Sequence, residues 1–318
     1  MNPRGRRPRL LVLLLAGLAL AALAAAGCAA QPADSQELGS RPLRVTATTN
    51  FITDLAREVG GDRVEVTGLM GPGVDPHLYK ASAGDVAALR RADVVFYGGL
   101  ELEGRMTDLL DELGRRQPTV AVTRAIPEDR LRRPSEFEGK FDPHVWFSVP
   151  LWETTVDVVA ERYATLDPAH ADGYRARAAA YIQELRALDT EVRERLEAVP
   201  ERSRVLITSH DAFGYFGREY GFDVVAIQGL STQTEATTSD IERVAGVIAD
   251  RAINAVFVES AVPTQTIEAV LAAARRRGQD ARIGGELYAD AAGDEGTPEG
   301  TYVGMVRANV ALIATGLR

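Results

Sequence analysis

The sequence predicts an α/β protein of two lobes, each a mainly parallel sheet flanked by helices, joined by one long rigid helix. Short β-branched runs alternate with helical patterns from residue 45 onward, the rhythm of parallel β–α units. The same rhythm restarts near residue 204. Between the halves, one apolar stripe recurs at helical spacing.

In the first half the expected strands are Val45–Thr48, Val64–Leu69, Val94–Tyr97 and Thr119–Thr123. The expected helices are Phe51–Val59, Ser82–Arg90 and Gly104–Arg115. The second half offers strands Arg204–Thr208, Val224–Ile227, Ala255–Val258 and Arg282–Gly284. Its helices are Ala212–Tyr220, Thr238–Asp250 and Thr264–Arg277, the last stopped by Gly278. The joining helix covers about Pro168 to Val199. Tyr174, Ala178, Tyr181, Leu185, Leu188, Val192, Leu196 and Val199 step along it by three or four residues, and Arg and Glu fill the opposite face.

Ahead of the lobes comes processing rather than fold. Residues 2–9 are basic, Leu10 to Ala26 is almost wholly apolar, and small residues lead into Gly27-Cys28. That is a secretory signal peptide over residues 1–27. The apolar run, about 17 residues, is at the lower edge of what spans a bilayer. The sole Cys of the chain stands where the run ends, which resembles a bacterial lipobox with Ala25 in place of the commoner Leu. Cys28 is therefore the expected lipidation site, and residues 28–42 a flexible lipidated tether. The remaining boundaries are an N-terminal lobe (43–167), the linker helix (168–199) and a C-terminal lobe (200–318).

A composition of 46% hydrophobic and 25% charged residues is ordinary for a globular protein. The net charge of −9 disfavours a nucleic-acid partner. A single Cys excludes an intrachain disulfide and a Cys-based zinc site, so any metal must be held by His and carboxylates.

The chain has four His: His77, His144, His170 and His210. His77 and His144 share the context Asp-Pro-His-x-aromatic, as Asp75-Pro76-His77 and Asp142-Pro143-His144. Asp-Pro sets a turn before each imidazole. Each Asp is positioned to accept the other ring N–H. His77 and His210 fall just past the ends of expected strands, one in each half, and Asp290 follows the Arg282–Gly284 strand. Open α/β sheets bind ligands at such strand ends. If the lobes face each other, His77, His144, His210 and Asp290 converge on the cleft, two from each half. His170, in the first turn of the long helix, reads as a surface residue. Three imidazoles and one carboxylate suit a first-row divalent ion, with Zn2+ and Mn2+ both satisfied. Because imidazole must be neutral to bind, affinity is expected to fall below a pH of roughly 6.5.

The motifs DPHLY, VVFYGGLELEGRM, DPHVWF, TSHDAFGYFGREYGF, QGLSTQTEAT, FVESAVPT and IGGELYADAAGDEGTPEGTYVGMVRANV run through nearly all of the chain after the tether. Together they resemble the cluster A-I metal-binding lipoproteins of ABC importers, most closely the TroA type. The resemblance implies one divalent metal, Mn2+ or Zn2+, as transported ligand. It places His77, His144, His210 and Asp290 at the family's ligand positions. It further implies an ABC permease and its ATPase as partners, a monomeric state, and an extracytoplasmic location on the membrane through the lipid anchor. His210 stands where many dedicated manganese receptors have Glu, and the His-rich loop of many dedicated zinc receptors is absent; manganese is favoured, zinc second. Lys80, Gly98 and Ser148 depart from the usual Glu, Asn and Asp and bear on hydrogen bonding around the ligands.

Two other readings compete. A zinc metallohydrolase needs an open coordination position and a base, for which Glu259 and Glu286 are the carboxylates at hand. A surface adhesin with a structural metal is the other.

Overall fold

The computed structural model describes residues 40–137 and 139–318; the expected signal peptide, Cys28 and nearly all of the tether lie outside them. In the first half, β1 (Leu43–Ala47), β2 (Val64–Gly68), β3 (Val94–Tyr97) and β4 (Thr119–Ala121) form one parallel sheet in the order β2-β1-β3-β4. Helices α1 (Asn50–Gly60), α2 (Ala83–Arg91) and α3 (Thr107–Gly114) make the crossovers. Helix α4 (Val149–Leu166) then packs beside the long helix α5 (Ala171–Glu197).

The second half holds β5 (Val205–His210) paired with β6 (Asp223–Gln228), and β7 (Ala255–Glu259) paired with β8 (Arg282–Leu287), both pairs parallel. Strands β5 and β7 lie side by side. Where a ladder between them would run, the Glu259 carboxylate accepts the backbone N–H groups of Ser209 (2.7 Å) and His210 (3.1 Å). Helices α6 (Gly214–Tyr220), α7 (Thr238–Asp250), α8 (Gln265–Arg276) and α9 (Tyr302–Gly316) complete the half.

Local chemistry explains several boundaries. Ser82 with Asp85 at α2, and Thr237 with Asp240 at α7, form reciprocal capping boxes that satisfy the first free N–H groups. The expected Thr119–Thr123 strand ends at Ala121, because residues 122–125 turn into a 3-10 helix. His210 belongs to β5 rather than following it, since the ladder continues to the pair His210–Gln228.

The apolar stripe of α5 is buried along its whole length. Sequence patterning left α4 as an unbounded helical run and gave no helix over 302–316. Both helices bury residues on several sides, and α9 lies between α5 and β8. A helix covered on more than one face carries no single stripe to detect.

One apolar core runs across both halves, from Leu43, Phe51 and Trp152 through Tyr174 and Leu188 to Phe257 and Ile313. A second core sits under β5–β8 against α7 and α8. Polar stitches reinforce the first. The Asn50 side chain donates to the Ala292 carbonyl (2.8 Å) and accepts its N–H (2.9 Å). The Trp146 indole donates to the Ala289 carbonyl (3.0 Å), and the Tyr302 hydroxyl to the Trp146 carbonyl (2.8 Å). These bonds tie the first half to the segment that carries Asp290.

Replacing Asn50 with Ala strips both partners from the buried backbone of Ala292. Asn50→Ala is expected to lower unfolding stability by about 1–3 kcal/mol, read by denaturant titration at constant slope. A loss below about 0.5 kcal/mol would show that the stitch carries no stability.

Candidate metal centre

Each site residue sits at the mouth end of the strands. His77 lies on the loop after β2, and His144 precedes the short 3-10 turn Val145–Phe147 that leads into α4. His210 ends β5, and Asp290 follows β8 within three residues. All four are buried: His77 is 2% exposed, and His144, His210 and Asp290 are 0%.

The structure brings these four together. His77 Nε2 and His144 Nε2 are 3.3 Å apart. Asp290 Oδ2 is 3.2 Å from His210 Nε2 and 3.6 Å from His77 Nε2, while Asp290 Oδ1 is 3.5 Å from His144 Nε2. One donor atom from each residue lies within 4.8 Å of all the others. Tetrahedral donors about 2.0–2.1 Å from a central ion stand about 3.3–3.4 Å apart, so the observed separations fit one small cation at the centre.

Hydrogen bonding leaves the inward faces free. His144 Nδ1 lies 2.8 Å from Asp142 Oδ1, and His210 Nδ1 is hydrogen-bonded to Glu259 Oε2. A proton on each Nδ1 leaves the Nε2 lone pairs pointing inward. His210 Nε2 and both Asp290 carboxylate oxygens are buried without a hydrogen-bond partner among the described residues. Buried polar atoms are rarely left unpaired, and three together facing one point mark a place for a cation.

The supporting groups differ around the ring. Asp142 is gripped by Arg132, and the Tyr215 hydroxyl accepts the Arg132 N–H (3.0 Å) and donates to the Asp142 carbonyl (2.9 Å). Arg132 crosses directly over Gly214, where a Cβ would come within 1.4 Å of its Nη1, so only glycine lets it reach Asp142. Asp75 does not take the role expected of it. Its Oδ1 accepts the His77 backbone N–H (2.8 Å), and its Oδ2 accepts the Thr232 hydroxyl. Asp142 Oδ1 accepts the corresponding N–H of His144 (2.9 Å) and meets the ring as well, which Asp75 does not.

Glu259 holds His210 through the ring and the backbone, which leaves it no free oxygen for base chemistry; Glu286 is exposed on β8. His170 lies in the 3-10 turn before α5, half-exposed, with Nδ1 2.9 Å from Asp167. Among the three departures, Lys80 is exposed. Gly98 donates to Glu103 (2.7 Å), and a Cβ there would approach Leu102 within 2.6 Å. Ser148 caps α4 and donates to Glu219 (3.0 Å). Tyr215, Thr232 and Gln233 escape sequence reasoning because their roles depend on contacts more than 70 residues away, and Arg132 because no local pattern marks its grip on Asp142 ten residues on.

Charge sets the proton balance. Burial pushes the His77 imidazole down to about 3, with the neighbouring imidazoles adding to the effect and Asp290 opposing it. Burial also works against protonation of His210, but the Asp290 and Glu259 carboxylates on either side outweigh it and raise its proton affinity. Burial alone would raise Asp290; the surrounding imidazoles outweigh it and hold the carboxyl below the usual carboxylate range.

Two outcomes are expected. A cation must displace the proton from His210, whose pKa is raised, so affinity should keep rising with pH through the neutral range. His77, neutral above about 3, adds nothing there. Calorimetry at pH 7 in buffers of differing ionisation enthalpy should show about one proton released per metal bound; flat affinity between pH 6 and 8 would contradict it. The expected onset near 6.5 therefore moves upward. Glu259→Gln should lower metal affinity roughly 10- to 100-fold by competition titration, because the amide no longer fixes the tautomer of His210.

A family model described as zinc-uptake complex component A, periplasmic, matches residues 45–316. The manganese-binding lipoprotein MntA of Bacillus subtilis (strain 168) is 47% identical over 306 residues, covering 96% of this chain and 99% of that protein. The zinc-binding protein TroA of Treponema pallidum (strain Nichols) is 46% identical over 277 residues, 87% of this chain and 89% of that one. A solved structure of the periplasmic zinc-binding protein TroA from Treponema pallidum matches with a TM-score of 0.84 at 44% identity, over 87% of this chain and 100% of that chain. The relatives' names thus include both manganese and zinc. With nearly the whole described chain matched, the protein belongs to the family of zinc-uptake complex component A, the cluster A-I metal-binding proteins.

Proposed function

We propose that this chain captures one divalent transition metal, Mn2+ or Zn2+, through His77, His144, His210 and Asp290, and delivers it to the permease and ATPase of an ABC importer. It works outside the cytoplasm as a monomer, held to the membrane by lipid on Cys28. The metal is cargo, and the chain carries out no chemistry on it. The observation that carries this reading is the group of buried, unpartnered atoms, His210 Nε2 and both oxygens of Asp290, facing the imidazoles of His77 and His144. Membership of the family supports the transport role, and the lone Cys after an apolar leader supports the anchor. Four protein donors fill a tetrahedral site, which argues against the metallohydrolase reading.

A strain lacking the gene should take up less isotopic Mn2+ or Zn2+ at limiting concentration. The wild-type chain should restore uptake, whereas His210→Ala and Asp290→Ala should not. Cys28→Ala should release the protein from the membrane fraction. Purified wild-type protein without stoichiometric metal, or ester or peptide hydrolysis abolished by His210→Ala, would overturn the reading.

A further inference from the structure

The four site residues are not held equally. Behind His144, Asp142 is fixed by Arg132 and Tyr215, and the Trp146 indole is bonded to Ala289. Those groups are buried or half-buried, and Tyr215, Trp146 and Ala289 belong to the apolar core shared by both halves. His210 is locked by Glu259 within its own half. The His77 loop is different. Gly71, Gly73 and Leu78 on it are exposed, Leu78 to 40%. Its hydrogen-bond link to the second half runs through the 229–237 segment between β6 and α7. The Thr232 hydroxyl donates to Asp75, and the Gln233 amide donates to the His77 carbonyl (3.2 Å). The opposite wall makes room for this: a Cβ on Gly104 would come within 2.7 Å of Gln233 Nε2.

We infer that Thr232 and Gln233 form a clasp across the mouth of the metal centre, and that opening it with the His77 loop sets the rate at which bound metal leaves. The inference rests on the proposed binding of Mn2+ or Zn2+ at this centre. Thr232 and Gln233 are positioning residues: each reaches His77 through its carbonyl or through Asp75, and neither is offered as a ligand. Gln233 is exposed and Thr232 half-buried, so solvent can compete for both bonds. The bonds that fix His144 and His210 are buried. Release therefore proceeds by withdrawal of His77, with the other three donors staying in place.

The test uses the full chain loaded with Mn2+ or Zn2+ and chased with excess chelator in stopped flow. Thr232→Val and Gln233→Ala should each speed release roughly 3- to 10-fold, the range expected for losing one side-chain hydrogen bond, with the association rate little changed. Gly104→Ala, on the opposite half, should speed release similarly by expelling Gln233, and Thr232→Ser should restore the wild-type rate. Each metal-free variant should still unfold in one transition of wild-type slope, so that faster release reports the clasp rather than partial unfolding. Wild-type release rates in Thr232→Val and Gln233→Ala would overturn the clasp, as would lowered metal-free stability without faster release. A wild-type chain that retains neither metal would overturn the receptor reading itself, so the two failures are distinct.

Discussion

Asp290 is the constraint on which the rest of the structure turns. Its carboxylate is fully buried, ionised, and without a hydrogen-bond donor on either oxygen among the described residues. An uncompensated buried charge is costly, and nearby imidazoles compensate it only by taking a proton or sharing a cation. His210 takes the proton more readily than an ordinary imidazole, while His77 resists it. On the proposed reading, a metal ion bound here takes the place of that proton. Glu259 and Asp290 together match the two charges of a divalent ion, since Asp142 is already neutralised by Arg132.

Placing that carboxylate between three rings requires two chain halves to meet without sliding. Helix α5 supplies the spacing, and the continuous core beside it supplies the stiffness. Helix α9 returns from the second half onto α5 and α1, and Asp54 of α1 accepts the first N–H of α9 through Tyr302 (2.8 Å). Wide hinge opening would break these buried contacts. The loop that carries His77 lies outside that shared core, with Gly71, Gly73 and Leu78 exposed.

Much of this was legible in the residues. The alternating α/β rhythm and the stripe from Tyr174 to Leu196 survive as strands, helices and a buried face. The two Asp-Pro-His contexts marked His77 and His144, yet identical local sequence produced different hydrogen bonding. Each Asp accepts the backbone N–H of its His, but only Asp142 also meets the ring; the second oxygen of Asp75 goes to Thr232. The difference comes from the residues opposite each Asp, Arg132 and Tyr215 in one case and Thr232 in the other, which no local pattern contains. Helices α4 and α9 were obscured for a related reason: their burial is decided by neighbours on several sides. Ser148 shows the same limit. It differs from the usual family residue, but what it does is set by Glu219, 71 positions away, beside which an Asp at 148 would place a second carboxylate.

The donor set suits either of the ions for which relatives are named, manganese and zinc. Zinc takes four donors in a tetrahedron, and three imidazole nitrogens with an Asp290 oxygen supply four, all within 4.8 Å of one another. Manganese is better suited by oxygen ligands and by more than four donors. Asp290 can meet that demand, because its second oxygen is equally free and lies 3.5 Å from His144 Nε2. An ion held by both carboxylate oxygens would have five donors in place of four. A Glu in place of His210 would add oxygen at the cost of a nitrogen and tilt the balance toward the harder ion. His210, fixed by Glu259, keeps the nitrogen count at three, so on the proposed reading any difference between the two ions falls on the two oxygens of Asp290.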